Sequence, residues 1–95
     1  MTNSHDKDFL TVHRWKVAGI DIQIMNLLKE RFNLTDEMGN YKRGNGIPIY
    51  NKDVEERLIN DAVKRADGEL SEEFIRDLYS RIFSYSKERQ GEHLK

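Results

Sequence analysis

From Phe9 to about Lys42 the chain runs without a proline, and apolar residues recur at Val17, Ile20, Ile24, Leu27, Leu34, Met38 and Tyr41. Steps of three and four over such a span keep one face of an α-helix apolar. Gly19 and Gly39 weaken that helix by up to about 1 kcal/mol each, and neither sits in a turn cluster. A helix of roughly 32 residues is about 48 Å long. A compact domain of 95 residues has a radius of gyration of only about 12 Å. Such a helix must outrun its own chain's core, and a second subunit is the expected way to cover it.

The run Arg43-Gly44-Asn45-Gly46-Ile47-Pro48 is the clearest break and holds the only proline. Asn51 is a good N-cap for a second helix reaching about Asp67, with Val54, Leu58, Ile59, Ala62, Val63 and Ala66 as its inner face. Asp67-Gly68 reads as the next turn. Ser71 caps a third helix, whose apolar face is Phe74, Ile75, Leu78, Ile82 and Phe83, and Leu70 with Ile75 has the spacing of a hydrophobic staple. The expected architecture is all-α, three helices with a very long first one, in a single domain over residues 1–95 whose ends, 1–8 and 91–95, fray.

Composition narrows the function classes. Apolar residues make up 37% and charged residues 35%, a polar balance that favours long amphipathic helices and a core completed by a partner. The 16 basic and 17 acidic residues are interspersed, with no basic stripe carrying aromatics, so nucleic acid is not the expected partner. The absence of cysteine excludes disulfides, thiol nucleophiles and Cys-based zinc sites. No stretch has the length of a membrane span and the N-terminus carries no apolar signal core, so the expected location is cytoplasmic, with no membrane partner.

Polar groups stand where apolar ones were due. Arg31 lies between Leu27 and Leu34 on the seam of the first helix, Arg14 three residues before Val17, and Lys42 four after Met38. Glu55 is one turn before Ile59, and Ser86 and Gln90 continue the Ile82 face in steps of four. Taken singly, each suits a solvated position, a snorkelling stem or an ion pair. Taken together, burying so many charges without partners would cost several kcal/mol each. A small dicarboxylate with a hydroxyl would resolve that cost: arginines fork onto carboxylates, Lys and Gln donate, Glu accepts. His5, His13 and His93 lack metal-ligand spacing, Gly44 and Gly46 make no phosphate loop, and neither metal nor cofactor is expected.

From Leu10 to Gln90 these residues resemble the short, stand-alone, all-helical chorismate mutases. The resemblance is carried by Arg14 followed after five residues by Ile20-Asp21, by LLKER ending at Arg31, and by Glu37-Met38-Gly39 with Lys42 three residues on. The loop containing Pro48, Glu55 at the start of the second helix and the Ser86 to Gln90 pair complete it. It implies an intertwined homodimer with antiparallel first helices and the rearrangement of chorismate to prephenate in aromatic amino-acid biosynthesis. That pericyclic reaction needs no nucleophile, general base, metal or cofactor. The resemblance further implies that Arg31, and Arg14 from the other subunit, grip carboxylates. Lys42 and Gln90 would donate to the ether oxygen, with Lys42 also touching a carboxylate. Ser86 would help to bind a carboxylate, and Glu55 would accept from the ring hydroxyl.

Two positions depart from the family's D-x-x-R-E, because Asn51 to Glu55 read NKDVE. Asn51 keeps the capping ability of the aspartate. Val54 removes a cation beside the ring hydroxyl. Arg57, about 4.5 Å further along the helix axis, is the candidate to reach back. Losing that cation while keeping Glu55 would suit a ring amine, so a 4-amino-4-deoxychorismate mutase is an alternative reading. An isochorismate-pyruvate lyase and a non-catalytic, regulatory helical dimer are two others.

Overall fold

The computed structural model describes residues 4–91, and among them the chain is all-helical: α1 (Ser4–Gly44), α2 (Lys52–Ala66) and α3 (Glu72–Arg89). Of the ends expected to fray, 1–8 and 91–95, residues 4–8 instead form the start of α1, and residues 1–3 and 92–95 lie outside the described residues. None of these helices is long and apolar enough to cross a membrane. The chain divides into two compact units, one ending at Asn33 and one beginning at Leu34, and each is taken by itself below.

In the first unit the apolar stripe read from the sequence lies open. Trp15 is 71% exposed and Leu27 63%, and Val17, Ile20 and Ile24 are exposed with them. The buried position is Phe32, with Leu28 and Arg31 half-buried. In the second unit α1 repeats this pattern. Leu34, Met38 and Tyr41 are exposed, while Thr35 and Lys42 are half-buried and Gly39 is buried. Successive helix residues are about 100° apart, so the two sets are adjacent faces of one helix. The wide apolar face is left open, and the face the chain covers mixes Leu28 and Phe32 with small and polar residues.

The helix boundaries follow from local chemistry. Asn51 Oδ1 accepts from the Val54 N–H at 3.2 Å, and Ser71 Oγ from the Phe74 N–H at 3.1 Å, each satisfying an otherwise orphaned first-turn donor. At the end of α1, Asn45 Nδ2 donates to Tyr41 O and the Ile47 N–H to Lys42 O, both at 2.8 Å, closing the last turn. Between α2 and α3 the chain reverses through Asp67 (φ 49°) and Gly68 (φ 79°), consecutive left-handed residues that aspartate and glycine tolerate best.

α2 and α3 pack through Ile59, Ile75 and Phe83, the buried apolar side chains of this unit. The expected inner faces were wider than the contact. Val54 and Leu58 on α2, and Phe74 and Leu78 on α3, are exposed, each pair one turn apart at the border of its stripe. Two helices in contact bury only a narrow seam, and the flanks of a wide stripe need a further surface. Arg76 bridges Glu72 at 2.8 Å and Glu56 at 3.1 Å, linking α3 to α2 at the surface, where such pairs contribute little.

Ile75, 3% exposed, is the most deeply buried of these side chains. Ile75→Ala is expected to lower unfolding free energy by about 2–4 kcal/mol, as measured by urea denaturation at fixed protein concentration.

Candidate active site

The end of α1 meets the end of α3 through polar groups. Gln90 Nε2 donates to Thr35 O at 2.9 Å and to Ser86 Oγ at 3.2 Å, and Ser86 Oγ donates to Thr35 Oγ1 at 2.9 Å. Ser86 is buried, an unusual position for a serine, and this relay satisfies it. The relay is possible because residue 39 is glycine: a Cβ there would lie 2.8 Å from Gln90 Cδ and Cγ. Arg89 Nη2 holds Asp36 at 2.7 Å, and Arg43 donates to Gln90 O, so charge-assisted bonds fasten both sides of the contact. The hydrogen bond to Asp36 first, and one to Tyr85 second, push the Arg89 guanidinium above its ordinary pKa.

Within this corner one atom is unsatisfied. Gln90 Oε1 is buried and has no hydrogen-bond partner, while both protons of its amide are used inside the protein. Nearby along the chain, Lys42 Nζ donates to Ile49 O at 3.4 Å. That long contact engages one of the three protons an ammonium carries.

Ile49 leads into Tyr50, which lines a groove of about 290 Å³ between α2 and α3 together with Lys52, Glu55, Ile59, Phe83 and Lys87. Here Glu55 Oε2 is paired with Lys87 Nζ at 3.1 Å, and the same Nζ stands 3.9 Å from the centroid of the Tyr50 ring. Both members of the ion pair are mostly withdrawn from solvent.

The second unit therefore joins Ser86 and Gln90 to Thr35 of α1, ties Lys42 to Ile49, and sets Glu55 against Lys87 in the groove between α2 and α3. Asn51 caps α2 and is exposed; Val54 is exposed on the turn that carries Glu55. Arg57 is exposed and outside the residues lining the groove. Arg14, exposed, and Arg31, half-buried, belong to the first unit. His13 Nδ1 lies 2.8 Å from Phe9 O with its ring stacked on Phe9. His93 is outside the described residues. Among the described residues no cluster of His, Asp and Glu is placed to hold a metal ion.

Sequence reasoning passed over Thr35, Asp36 and Lys87. The only local signal at Thr35 is its place one turn before Gly39 and two before Lys42, and at Lys87 its place one turn after the core residue Phe83, neither of which sets them apart from solvated residues. What the arrangement can do chemically is bind: it offers donors, an acceptor and cations around small spaces, and among the described residues no activated nucleophile stands beside a base.

In comparisons with known proteins, residues 13–91 match the family model of chorismate mutase type II. No individual curated protein matches the chain significantly.

Gly39→Ala is expected to drive the Gln90 side chain off Thr35 and Ser86. The side-chain amide resonances of Gln90 in a ¹⁵N-labelled sample should shift clearly, whereas those of a remote residue such as Asn60 stay put.

Proposed function

The chain belongs to the chorismate mutase type II family, and from that premise we propose that it rearranges chorismate to prephenate as a homodimer in aromatic amino-acid biosynthesis, in the cytoplasm. The observation that carries this reading is that Lys42, Glu55, Ser86 and Gln90 are all half-buried or buried in the second unit, where apolar side chains were due, with Gln90 bonded to Ser86.

The reaction breaks one C–O bond and forms one C–C bond in a cyclic flow of electrons, with no proton to move. The protein's task is to hold the dianion in its compact reactive shape and to stabilise negative charge that grows on the ether oxygen. Lys42 has donors in excess of its long contact to Ile49 O and supplies a full positive charge. Gln90 donates to the same oxygen by giving up one of its two internal bonds, which substrate binding repays. Ser86 contributes at a carboxylate, and Glu55 accepts from the ring hydroxyl with the oxygen Lys87 leaves uncovered.

The second copy would cover the open face of α1, where Val17, Ile20, Ile24 and Leu27 are exposed in helical register. In that dimer Arg31 serves the site of its own chain and Arg14 the site of its partner.

Lys42→Ala and Gln90→Ala are each expected to lose at least about 2 kcal/mol of transition-state stabilisation, roughly thirtyfold in kcat/KM, measured by the disappearance of chorismate. Retention of wild-type turnover by either variant would overturn its assignment. Mixing inactive Arg14→Ala and Arg31→Ala proteins after subunit exchange should restore about a quarter of wild-type activity, because a mixed dimer has one intact site. Absence of any recovery would argue against a shared site, and a single-chain mass in sedimentation would argue against the dimer.

A further inference from the structure

We propose that Lys87 is the cation that replaces the arginine missing at position 54, and that it makes the site select a ring hydroxyl over a ring ammonium; the inference rests on the mutase reading. Lys87 reaches the Glu55 groove from α3, on the side opposite the helix that carries Val54. Its Nζ is held twice, by Glu55 Oε2 at 3.1 Å and by the face of Tyr50 at 3.9 Å. The Lys87 side chain is 30% exposed and that of Glu55 23%, so the pair is screened far less than a surface pair. Arg57, the other candidate, is exposed and does not line the groove.

This geometry decides what Glu55 can receive. With Oε2 occupied by Lys87, the other carboxylate oxygen remains as an acceptor, and one hydrogen-bond donor from a neutral hydroxyl satisfies it. A ring ammonium would bring a second positive charge beside Lys87 at the one carboxylate open to it, because Glu56, the other acid lining the groove, is paired with Arg76, and like charges at that range repel. Without Lys87, the Glu55 carboxylate would lose its ion-pair partner, leaving Lys52 as the other lysine lining the groove, and would favour the ammonium. Loss of the arginine at position 54, seen in the sequence as an opening for an amine, is thus offset from a different helix.

The test compares wild type, Lys87→Met and Lys87→Arg on chorismate and on 4-amino-4-deoxychorismate, with thermal unfolding of each variant as the control for folding. Wild type is expected to prefer chorismate. Lys87→Met should lose about tenfold or more in kcat/KM for chorismate and shift the preference toward the amino compound, whereas Lys87→Arg keeps both within about threefold. If Lys87→Met fails to fold, Lys87→Gln reads the same ratio. A neutral variant with wild-type preference, or a wild type that prefers the amino compound, overturns the role of Lys87. Wild-type protein that converts neither compound and is not stabilised by a bicyclic dicarboxylate transition-state analogue overturns the mutase reading, and the inference with it.

Discussion

Buried apolar surface is the scarce resource in this chain. Among the described residues only Phe32, Ile59, Ile75 and Phe83 are buried apolar side chains, while large apolar groups from Phe9 to Tyr85 stand exposed. Ordering a helix costs conformational entropy at every residue, and burial of apolar side chains is the main term that offsets it. The helices are well capped and their ends closed, but caps set where a helix stops and do not supply a core. The proposed second copy of the chain is the natural source of the missing surface, because the exposed residues of α1 already form one continuous helical stripe.

With the wide apolar face of α1 left open, the chain spends its mixed face on itself. Gly39 lets the Gln90 side chain approach, Thr35 and Ser86 accept and relay its bonds, and Asp36 with Arg89 fastens the contact from the side. The corner is held by directional bonds, which fix donor positions more narrowly than apolar packing does. The proposed binding of a dianion and stabilisation of a growing charge would need that directionality. The orphaned Gln90 Oε1 and the long Lys42 contact are the places where the corner is unfinished in its own terms.

Much of this was legible along the chain. The caps Asn51 and Ser71 and the Asp67-Gly68 turn announce themselves by residue type, because each answers a local demand for a side-chain acceptor or a left-handed backbone. The candidate residues Lys42, Ser86 and Gln90 were legible as polar positions continuing apolar faces. Thr35, Asp36 and Lys87 were not, since a threonine, an aspartate and a lysine on amphipathic helices look like ordinary solvated residues. Their roles exist only through partners 51, 53 and 32 positions away, beyond the reach of any local pattern: Ser86 for Thr35, Arg89 for Asp36 and Glu55 for Lys87.

The sequence by itself determined where the helices begin and end, since capping, turn geometry and periodicity act over a few residues. It also determined that polar groups would be directed inward from more than one helix. Only the tertiary structure decided which face of α1 the chain covers and which it leaves open, and that a lysine on α3 stands against Glu55. Those outcomes depend on how helices approach one another, and two adjacent faces of one helix, both with helical spacing, offer the sequence reader no means of choosing between them.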